Sequence, residues 1–325
     1  MNKVFLSNGI EFQCLPDQSI LAAAKKHKIA IEHSCQTGRC GVCIASVLKG
    51  QTLPLCAEES LSLSDTKAKK ILTCCRTIES DTYLDIQDLG EIGIIPVLTL
   101  PCRVSNLELL KDDVLVVTLR LPPRANFRYV EGQYIDLIYN GIRRSYSIAN
   151  APSEDGNIEL IVKKVKDGLM SDYLFNKVAL NDLLRIEGPQ GTFSYRDDDS
   201  KNIIFLATGT GIAPIKAMLQ KMSVQNTLDR KIYVFWGGRY ATDIFLDTSK
   251  IEGSHHFFPV LSRDDVGLGY KGYVQDAVLN SGINLLDSTV YACGSEVMIS
   301  AAATILIENG LSPKCFFSDA FVSSN

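Results

Sequence analysis

The chain has 325 residues, more than one small core requires, and predicts two or three domains. Its 33 basic and 37 acidic residues nearly balance and form no long run of one sign, so nucleic-acid binding has no electrostatic support. Ten cysteines point to a reducing compartment. The first nine residues are too poor in apolar side chains for a signal peptide, and no apolar run reaches membrane-span length, so a soluble cytoplasmic protein is expected.

Residues 1–92 read as one small α+β unit. Val4-Phe5-Leu6 and Ile10-Glu11-Phe12 flank Ser7-Asn8-Gly9, a hairpin signal, and Ser19 is placed to cap a helix over Ile20 to His27. Val47 to Leu55 predicts strand and turn, and Tyr83 to Ile86 alternates like a closing strand. Between them, Cys35, Cys40 and Cys43 stand with four and then two residues between, and Cys74 follows after thirty intervening residues. That is the plant-type spacing by which four thiolates hold a [2Fe–2S] cluster. Gly38 and Gly41 carry no Cβ and let backbone amides approach the cluster's electron-rich core. A structural zinc site favours paired C-x₂-C ends, and a disulfide framework suits a small secreted domain. Cys75 competes with Cys74 for the fourth position, while Cys14 and Cys56 are expected as packed thiols.

Residues from Asp88 past Pro96 to Pro101 read as a linker of glycines and prolines without helical period. Beyond it, residues 98–197 carry short strand-like runs at Val114–Leu121, Gln133–Ile138 and Ile158–Lys163, separated by turn residues. These predict an antiparallel β-barrel ending near Arg185–Phe193. Residues 200–325 turn to strand–helix alternation. Buried strands are predicted at Ile203–Ala207, Ile232–Trp236 and Thr289–Cys293, with one helix lined by Ile215, Met218, Leu219 and Met222 and another over Ser295–Glu308, stopped by Asn309-Gly310. The fold expected here is doubly wound parallel α/β.

Three short motifs carry chemistry. Gly209-Thr210-Gly211 lies between a strand and a helix, where glycines let amides meet a pyrophosphate; Pro214 replaces a third glycine, and a plain tight turn is the alternative. Ala292-Cys293-Gly294-Ser295 at another strand end favours a nucleotide cleft. Arg144-Ser145-Tyr146-Ser147 offers a phosphate ligand, an aromatic ring and a hydroxyl, the parts a flavin needs, though composition alone is met by a polar strand end. Gly168-Leu169-Met170-Ser171 reads as a second phosphate turn with Ser171 as helix N-cap, or as a capping serine alone.

Taken in order, Arg-x-Tyr-Ser, Gly-x-x-Ser, Gly-Thr-Gly-x-Ala-Pro and Ala-Cys-Gly resemble the ferredoxin–NADP⁺ reductase superfamily along essentially the whole chain. The cysteine loop narrows the resemblance to three-domain reductases with a β-grasp plant-type ferredoxin, a flavin barrel and a nucleotide domain. Gly132–Ile138, Arg143–Asn150, Glu187–Phe193 and Phe316–Val322 are most similar to the iron–sulfur flavoprotein reductases of 3,6-dideoxyhexose biosynthesis.

The resemblance implies roles. Cys35, Cys40, Cys43 and Cys74 hold the cluster, with the Leu-Thr-Cys context favouring Cys74. Arg144 binds the flavin phosphates, Tyr146 stacks on the isoalloxazine, and Ser147 lies near N5. Gly168 and Ser171 serve the pyrophosphate of FAD, preferred over FMN. Gly209, Thr210 and Gly211 cradle the nicotinamide dinucleotide, and Cys293 flanks its reacting carbon. Phe321 covers the flavin until nicotinamide displaces it, with Phe316 and Phe317 as competitors. Arg239 and Arg263-Asp264 stand where the adenosine ribose is expected, with a slight preference for NADH over NADPH, and the segment between Trp236 and Val260 is short and polar for this superfamily. His33 is expected beside the cluster loop, and His255-His256 in a solvated loop.

The activity implied is an NAD(P)H oxidoreductase that takes a hydride at FAD and releases single electrons through [2Fe–2S]. Its expected partner is a pyridoxamine-phosphate-dependent CDP-sugar dehydratase or, alternatively, a mono- or dioxygenase. A non-catalytic redox sensor is a third reading, disfavoured because a sensor needs no nicotinamide site.

Overall fold

The computed structural model describes residues 2–225, 230–247, 255–264 and 269–321. They divide into two compact units, Met1–Pro96 with Gln190–Phe193, and Val97–Pro189 with Ser194–Asn325.

In the first unit, β1 (Asn2–Phe5) and β2 (Glu11–Cys14) form the expected hairpin, with Val4 opposite Phe12. Helix α1 (Ile20–Lys26) starts because the Ser19 hydroxyl accepts from the Ala22 amide at 3.1 Å, and it ends on Lys25 and Lys26, cations at the negative end of the helix dipole. Ile20, Leu21, Ala23 and Ala24 turn inward. There follow β3 (Ile44–Lys49), β4 (Thr52–Pro54), α2 (Leu63–Lys67), β5 (Lys70–Leu72), β6 (Arg76–Ile78) and β7 (Thr82–Leu84). The main sheet runs β2-β1-β7-β3-β5, with β1 and β7 parallel, and α1 shares its core: the β-grasp arrangement. Cys14 is buried in that core as expected, but Cys56 is exposed in the turn after β4.

The stretch read as a linker is more ordered than its prolines suggest. A 3₁₀ turn occupies Gly90–Ile94, and β8 (Leu98–Lys111) has already begun at Leu98. Pro101 is tolerated inside β8 because that part of the strand has a neighbour on one side only. Its pairing with the later strand β13 (Leu183–Gln190) covers 98–103, whereas pairing with β9 (Val114–Arg120) starts at Arg103.

The second unit continues with β10 (Tyr134–Tyr139), β11 (Ile142–Ser147), β12 (Ile158–Lys163) and α3 (Leu169–Asn176). The six strands run β11-β10-β13-β8-β9-β12, and an antiparallel bridge from Ile148 to Leu160 joins the two outer strands and closes the barrel. Leu119, Ile135, Leu137 and Leu160 fill the interior without solvent contact. Leu119→Ala is expected to lower the stability of this unit by about 2–5 kcal/mol in a denaturant titration, because a close-packed site cannot collapse around the void.

The remaining elements are β14 (Asn202–Thr208), α4 (Ile212–Gln225), β15 (Lys231–Gly238), β16 (His256–Leu261), β17 (Tyr270–Lys271), α5 (Val274–Asn280), β18 (Ser288–Ser295), α6 (Glu296–Glu308) and β19 (Phe316–Phe321). They build a parallel sheet in the order β17-β16-β15-β14-β18-β19. The chain steps outward from β14 to β17, then crosses back to β18. The strand order therefore reverses between β14 and β18, where such sheets open a crevice at their carboxyl ends. His256 starts β16 and stacks on Tyr233 at 5.3 Å, so it belongs to a strand and not to a loop. Val322 lies outside the described residues, as does 248–254 within the short polar segment. Among the described residues no helix is long and apolar enough to cross a membrane.

Candidate functional site

The cysteine loop is assembled by strand register. Ile44 pairs with Leu72, so the residues just before β3 and just after β5 meet, and the Thr73 amide donates to the Cys43 carbonyl at 3.0 Å. This brings the sulfurs of Cys43 and Cys74 to 3.2 Å. Cys75 is fully buried; its sulfur lies 3.5 Å from that of Cys74 and donates to the Ala57 carbonyl at 3.4 Å. Cys35 and Cys40 form a second pair, in which the Cys35 sulfur accepts from the amides of Thr37 and Cys40 at 3.4 Å each. Within each pair the thiol of one member stabilises the thiolate of the other, lowering Cys35 through Cys40 and Cys74 through Cys43. Among the described residues no three His, Cys, Asp or Glu side chains converge as ligands of a single ion. Two pairs of sulfurs instead fit a two-iron cluster, which takes its four ligands two to each iron. The loop also needs its glycine. Gly38 has φ +78°, and a Cβ there would strike the Ala57 carbonyl and approach the Cys75 sulfur to 2.8 Å.

His33 lies at the head of this loop. It is 7% exposed, and burial, then the neighbouring Lys25 cation, pull it down to about 4, leaving a neutral ring that bonds to the Ile31 carbonyl at 2.9 Å. Its backbone amide donates to the Thr192 hydroxyl at 2.9 Å, and its carbonyl accepts from the Thr192 amide at 3.2 Å.

Strand β11 presents the Arg-Ser-Tyr-Ser motif. Its two adjacent arginines divide sharply. Arg143 bonds Asp136 at 2.9 Å and grips Glu187 with both terminal nitrogens at 2.7 and 2.9 Å, bracing the barrel wall. Arg144 pairs with no carboxylate among the described residues, and its Nη1 donates only to the Arg143 carbonyl at 2.7 Å, so its charge remains available to a phosphate. Strand alternation puts Tyr146 on the same side as Arg144. Burial pushes the Tyr146 phenol up to about 12, so a neutral half-buried ring is offered for stacking. Ser147 is buried at the strand end, opposite Tyr134.

The Gly168 turn differs from expectation in one respect. Gly168 itself is the N-cap of α3, and Ser171 sits inside the first turn. Its hydroxyl accepts from the Val165 amide at 3.1 Å and faces the Val165 and Gly168 carbonyls at 3.1 and 3.0 Å, so it works within the turn. A capping role fails because a helical residue's hydroxyl reaches back to the preceding turn and not forward to free amides. The shallow cavity beside it is lined by Lys164 and Lys166 but also by Asp113, Asp167 and Asp172.

At the carboxyl end of the parallel sheet, Gly209–Gly211 forms one 3₁₀ turn leading into α4. Thr208, ahead of it, makes no side-chain capping bond, and open space lies above Gly209. Free amides at a helix N-terminus next to open space fit a pyrophosphate. Gly211 and Gly294 lock the ends of β14 and β18 together. A Cβ on Gly211 would overlap the Cys293 carbonyl, and one on Gly294 would overlap Thr208 Oγ1. Cys293 is fully buried on β18, and burial pushes its thiol well up, with Asp319 adding to the effect. Parallel register puts Phe321 beside Ser295, at the same end of the sheet as Gly294, where the residue is 42% exposed. Phe316 pairs with Val290 at the far end, and Phe317 is committed to Tyr291 at 5.4 Å and to the Arg196 guanidinium at 4.0 Å. Arg263 donates its amide to the Arg239 carbonyl at 2.9 Å, so both arginines stand together beyond β15 and β16, and Asp264 accepts from the Ala241 amide at 2.9 Å.

Two polar residues of α4 escaped the sequence reading. Lys216 and Gln220 lie one turn apart in a helix read only for its apolar face; a cation next to Ile215 and Met218 was the available signal.

Comparison with known proteins accounts for this layout. Residues 4–79 match the 2Fe-2S iron-sulfur cluster binding domain, 101–195 the oxidoreductase FAD-binding domain, and 205–304 the oxidoreductase NAD-binding domain. The chain is 44% identical to CDP-6-deoxy-L-threo-D-glycero-4-hexulose-3-dehydrase reductase of Yersinia pestis, over 98% of this chain and 97% of that protein. It is 30% identical to a reductase component of terephthalate 1,2-dioxygenase from Comamonas sp, over 98% and 96%. Its fold is similar to that of the Amycolatopsis cytochrome P450 reductase GcoB, with a TM-score of 0.76, 25% identity and 99% of each chain covered. The chain belongs to the three-domain iron–sulfur flavoprotein reductases that include the dehydrase reductase of Yersinia, and it is an NAD(P)H oxidoreductase using FAD and a [2Fe–2S] cluster.

Proposed function

We propose that the chain is a reductase of the CDP-6-deoxy-Δ3,4-glucoseen type, passing electrons from NADH through FAD and [2Fe–2S] to a pyridoxamine-phosphate-dependent CDP-sugar dehydratase in 3,6-dideoxyhexose biosynthesis. The observation that carries this reading is the reach of the 44% identity, which extends over 98% of the chain and so includes all three domains. When bound, the flavin accepts two electrons as a hydride and the cluster passes them on singly, chemistry that belongs to the cofactors.

The chain's own residues bind and orient these groups. In this reading the three parts are 1–92, 98–197 and 200–325. Cys35, Cys40, Cys43 and Cys74 hold the cluster; the two sulfur pairs support that set over one containing Cys75. The unpaired charge of Arg144 meets the flavin phosphates, Tyr146 stacks on the ring system, and Ser147 faces its reacting edge. The amides from Gly168 onward, with Ser171 shaping the turn, serve the pyrophosphate. Gly209, Thr210 and Gly211 cradle the dinucleotide, Cys293 backs the nicotinamide, and the exposed Phe321 shields the flavin from water until nicotinamide enters. A reducing, cytoplasmic setting suits a chain whose cysteines serve as cluster thiolates.

The test is anaerobic oxidation of NADH by the holoprotein with a CDP-sugar 3-dehydratase and CDP-4-keto-6-deoxyglucose. Loss of NADH matched by a 3,6-dideoxy product is the expected result. Reduction of flavin and cluster with no sugar product would remove the sugar assignment. The oxygenase reading, favoured by the full-length likeness to the terephthalate reductase component, would then lead.

A further inference from the structure

Helix α4 carries the Gly209–Gly211 turn at its start and a second, polar contact one turn further on. Lys216 Nζ lies 2.6 Å from Glu159 Oε2 and donates to the Ala149 carbonyl at 3.0 Å. Gln220 Oε1 accepts from the Ala151 amide at 3.0 Å. Only 18% of the Lys216 side chain is exposed, so this is a largely desolvated cation with two fixed acceptors.

The place it grips is the seam of the barrel. Ala149 follows Ser147 by two residues, and its amide donates to the Glu159 carbonyl at 2.8 Å next to the Ile148–Leu160 bridge. Asn150 ties the same seam by accepting from the Glu159 amide at 2.8 Å. The segment leaving Tyr146–Ser147 is thus held from one side by β12 and from the other by α4. A helix is stiff along its axis, and five residues at about 1.5 Å each separate Gly211 from Lys216, a span of roughly 7.5 Å.

We propose that Lys216, backed by Gln220, is a positioning residue that fixes the Tyr146–Ser147 strand end relative to the Gly209–Gly211 turn, and thereby governs the rate of hydride transfer from nicotinamide to flavin. The inference rests on the reading above, in which the strand end meets the flavin and the turn meets the dinucleotide. In that transfer one C–H bond of the dihydronicotinamide breaks and its electron pair leaves with the hydrogen, giving NAD⁺. One N–H bond forms on the flavin, which is reduced by two electrons. Neither Lys216 nor Gln220 touches the reacting atoms; their contribution is distance, to which such steps respond by on the order of 10²-fold per ångström of misplacement.

Anaerobic rapid mixing of flavin-loaded, full-length protein with NADH tests this, reading flavin bleaching at saturating NADH, the NADH dissociation constant and the isotope effect with deuterated NADH. Lys216→Met is expected to slow bleaching by about 10–100-fold while the dissociation constant stays within about threefold, with the isotope effect retained or increased. Lys216→Arg, which restores a donor to both acceptors, is expected to recover most of the rate. Glu159→Gln removes the charge but keeps the Ala149 contact and is expected to fall between; it decides the matter if Lys216→Met fails to hold flavin. Wild-type bleaching rates in Lys216→Met or, in that event, in Glu159→Gln would overturn the clamp. So would a loss confined to NADH affinity, or an arginine variant as slow as the methionine one. If NADH fails to bleach the wild-type flavin, the underlying assignment of strand end and turn falls with it, and that outcome is distinct from the others.

Discussion

Cys74→Ala is expected to eliminate the [2Fe–2S] absorbance and the signal of the reduced cluster in electron paramagnetic resonance, while Cys75→Ala retains both. The two sulfurs lie 3.5 Å apart, but they are held differently. The antiparallel register of β3 and β5 brings Cys74 against Cys43, whereas Cys75 is buried and bonded to the Ala57 carbonyl. The Cys43–Cys74 sulfur contact complements the Cys35–Cys40 pair, so two pairs are complete without Cys75. With the cluster gone, NADH still reduces the flavin, but delivery to a one-electron acceptor loses its route. The loss is expected to exceed the ~10–100-fold that even substitutions behind the ligands cost at metal sites. Iron content, the two spectra and a one-electron-acceptor assay check this. A cluster that survives Cys74→Ala and disappears in Cys75→Ala would reverse the assignment.

Gly211→Ala and Gly294→Ala are expected to unfold or loosen the parallel sheet, with a cost of about 3 kcal/mol or more, since added volume at a backbone contact cannot be relieved by a rotamer change. The new methyl of Gly211→Ala meets only backbone: the Cys293 carbonyl, and Gly294 Cα at 2.9 Å. Gly294 adds a left-handed φ of +144° to its overlap with Thr208. Gly209 provides the contrast. It also has a positive φ, +53°, but nothing lies within 4 Å of its added Cβ. Gly209→Ala is therefore expected to cost only about 1 kcal/mol in stability, while NADH affinity falls about tenfold as the methyl enters the space above the turn. Denaturant titration and NADH titration on the three variants separate the effects. Equal stability losses in Gly209→Ala and Gly211→Ala would show that the close approach of β14 and β18 is not what the glycines serve.

Much of this was legible before any coordinates. The cysteine spacing is a local signal read directly along the chain, and Ser19 ahead of an apolar helix announces its own cap. The motifs at strand ends were legible for the same reason. What escaped depends on pairing between distant residues. Strand β8 was hidden because Pro101 and the glycines before it look like breakers, and only knowing that its early half has a single neighbour makes a proline harmless there. Ser171 looked like a cap because it follows glycine at a suitable distance; which residue caps depends on where the helix begins, and that is Gly168. Of three phenylalanines within six residues, the resemblance favours Phe321 but leaves Phe316 and Phe317 as competitors. The parallel register of β19 separates them, sending Phe321 alone to the crevice end. Lys216 was passed over because its partners, Glu159 and Ala149, lie across the barrel seam.

The make-up of the first unit has a consequence for how the chain is made. Its body ends at Pro96, yet it includes Gln190–Phe193, and the Thr192 hydroxyl receives the His33 amide at the head of the cysteine loop. Thr192 leaves the ribosome 96 residues after Pro96 (192 − 96), a delay of about 5–20 s at about 5–20 residues per second. During that interval the nascent ferredoxin body has all its cysteines and none of this bracing. A fragment stopped at residue 96 would remain in that condition permanently, so the cysteine loop should take up iron more slowly in the fragment, and lose it sooner, than in the finished chain. Order of synthesis and order of maturation are thereby separated: the part made first is finished only after most of the barrel has been translated.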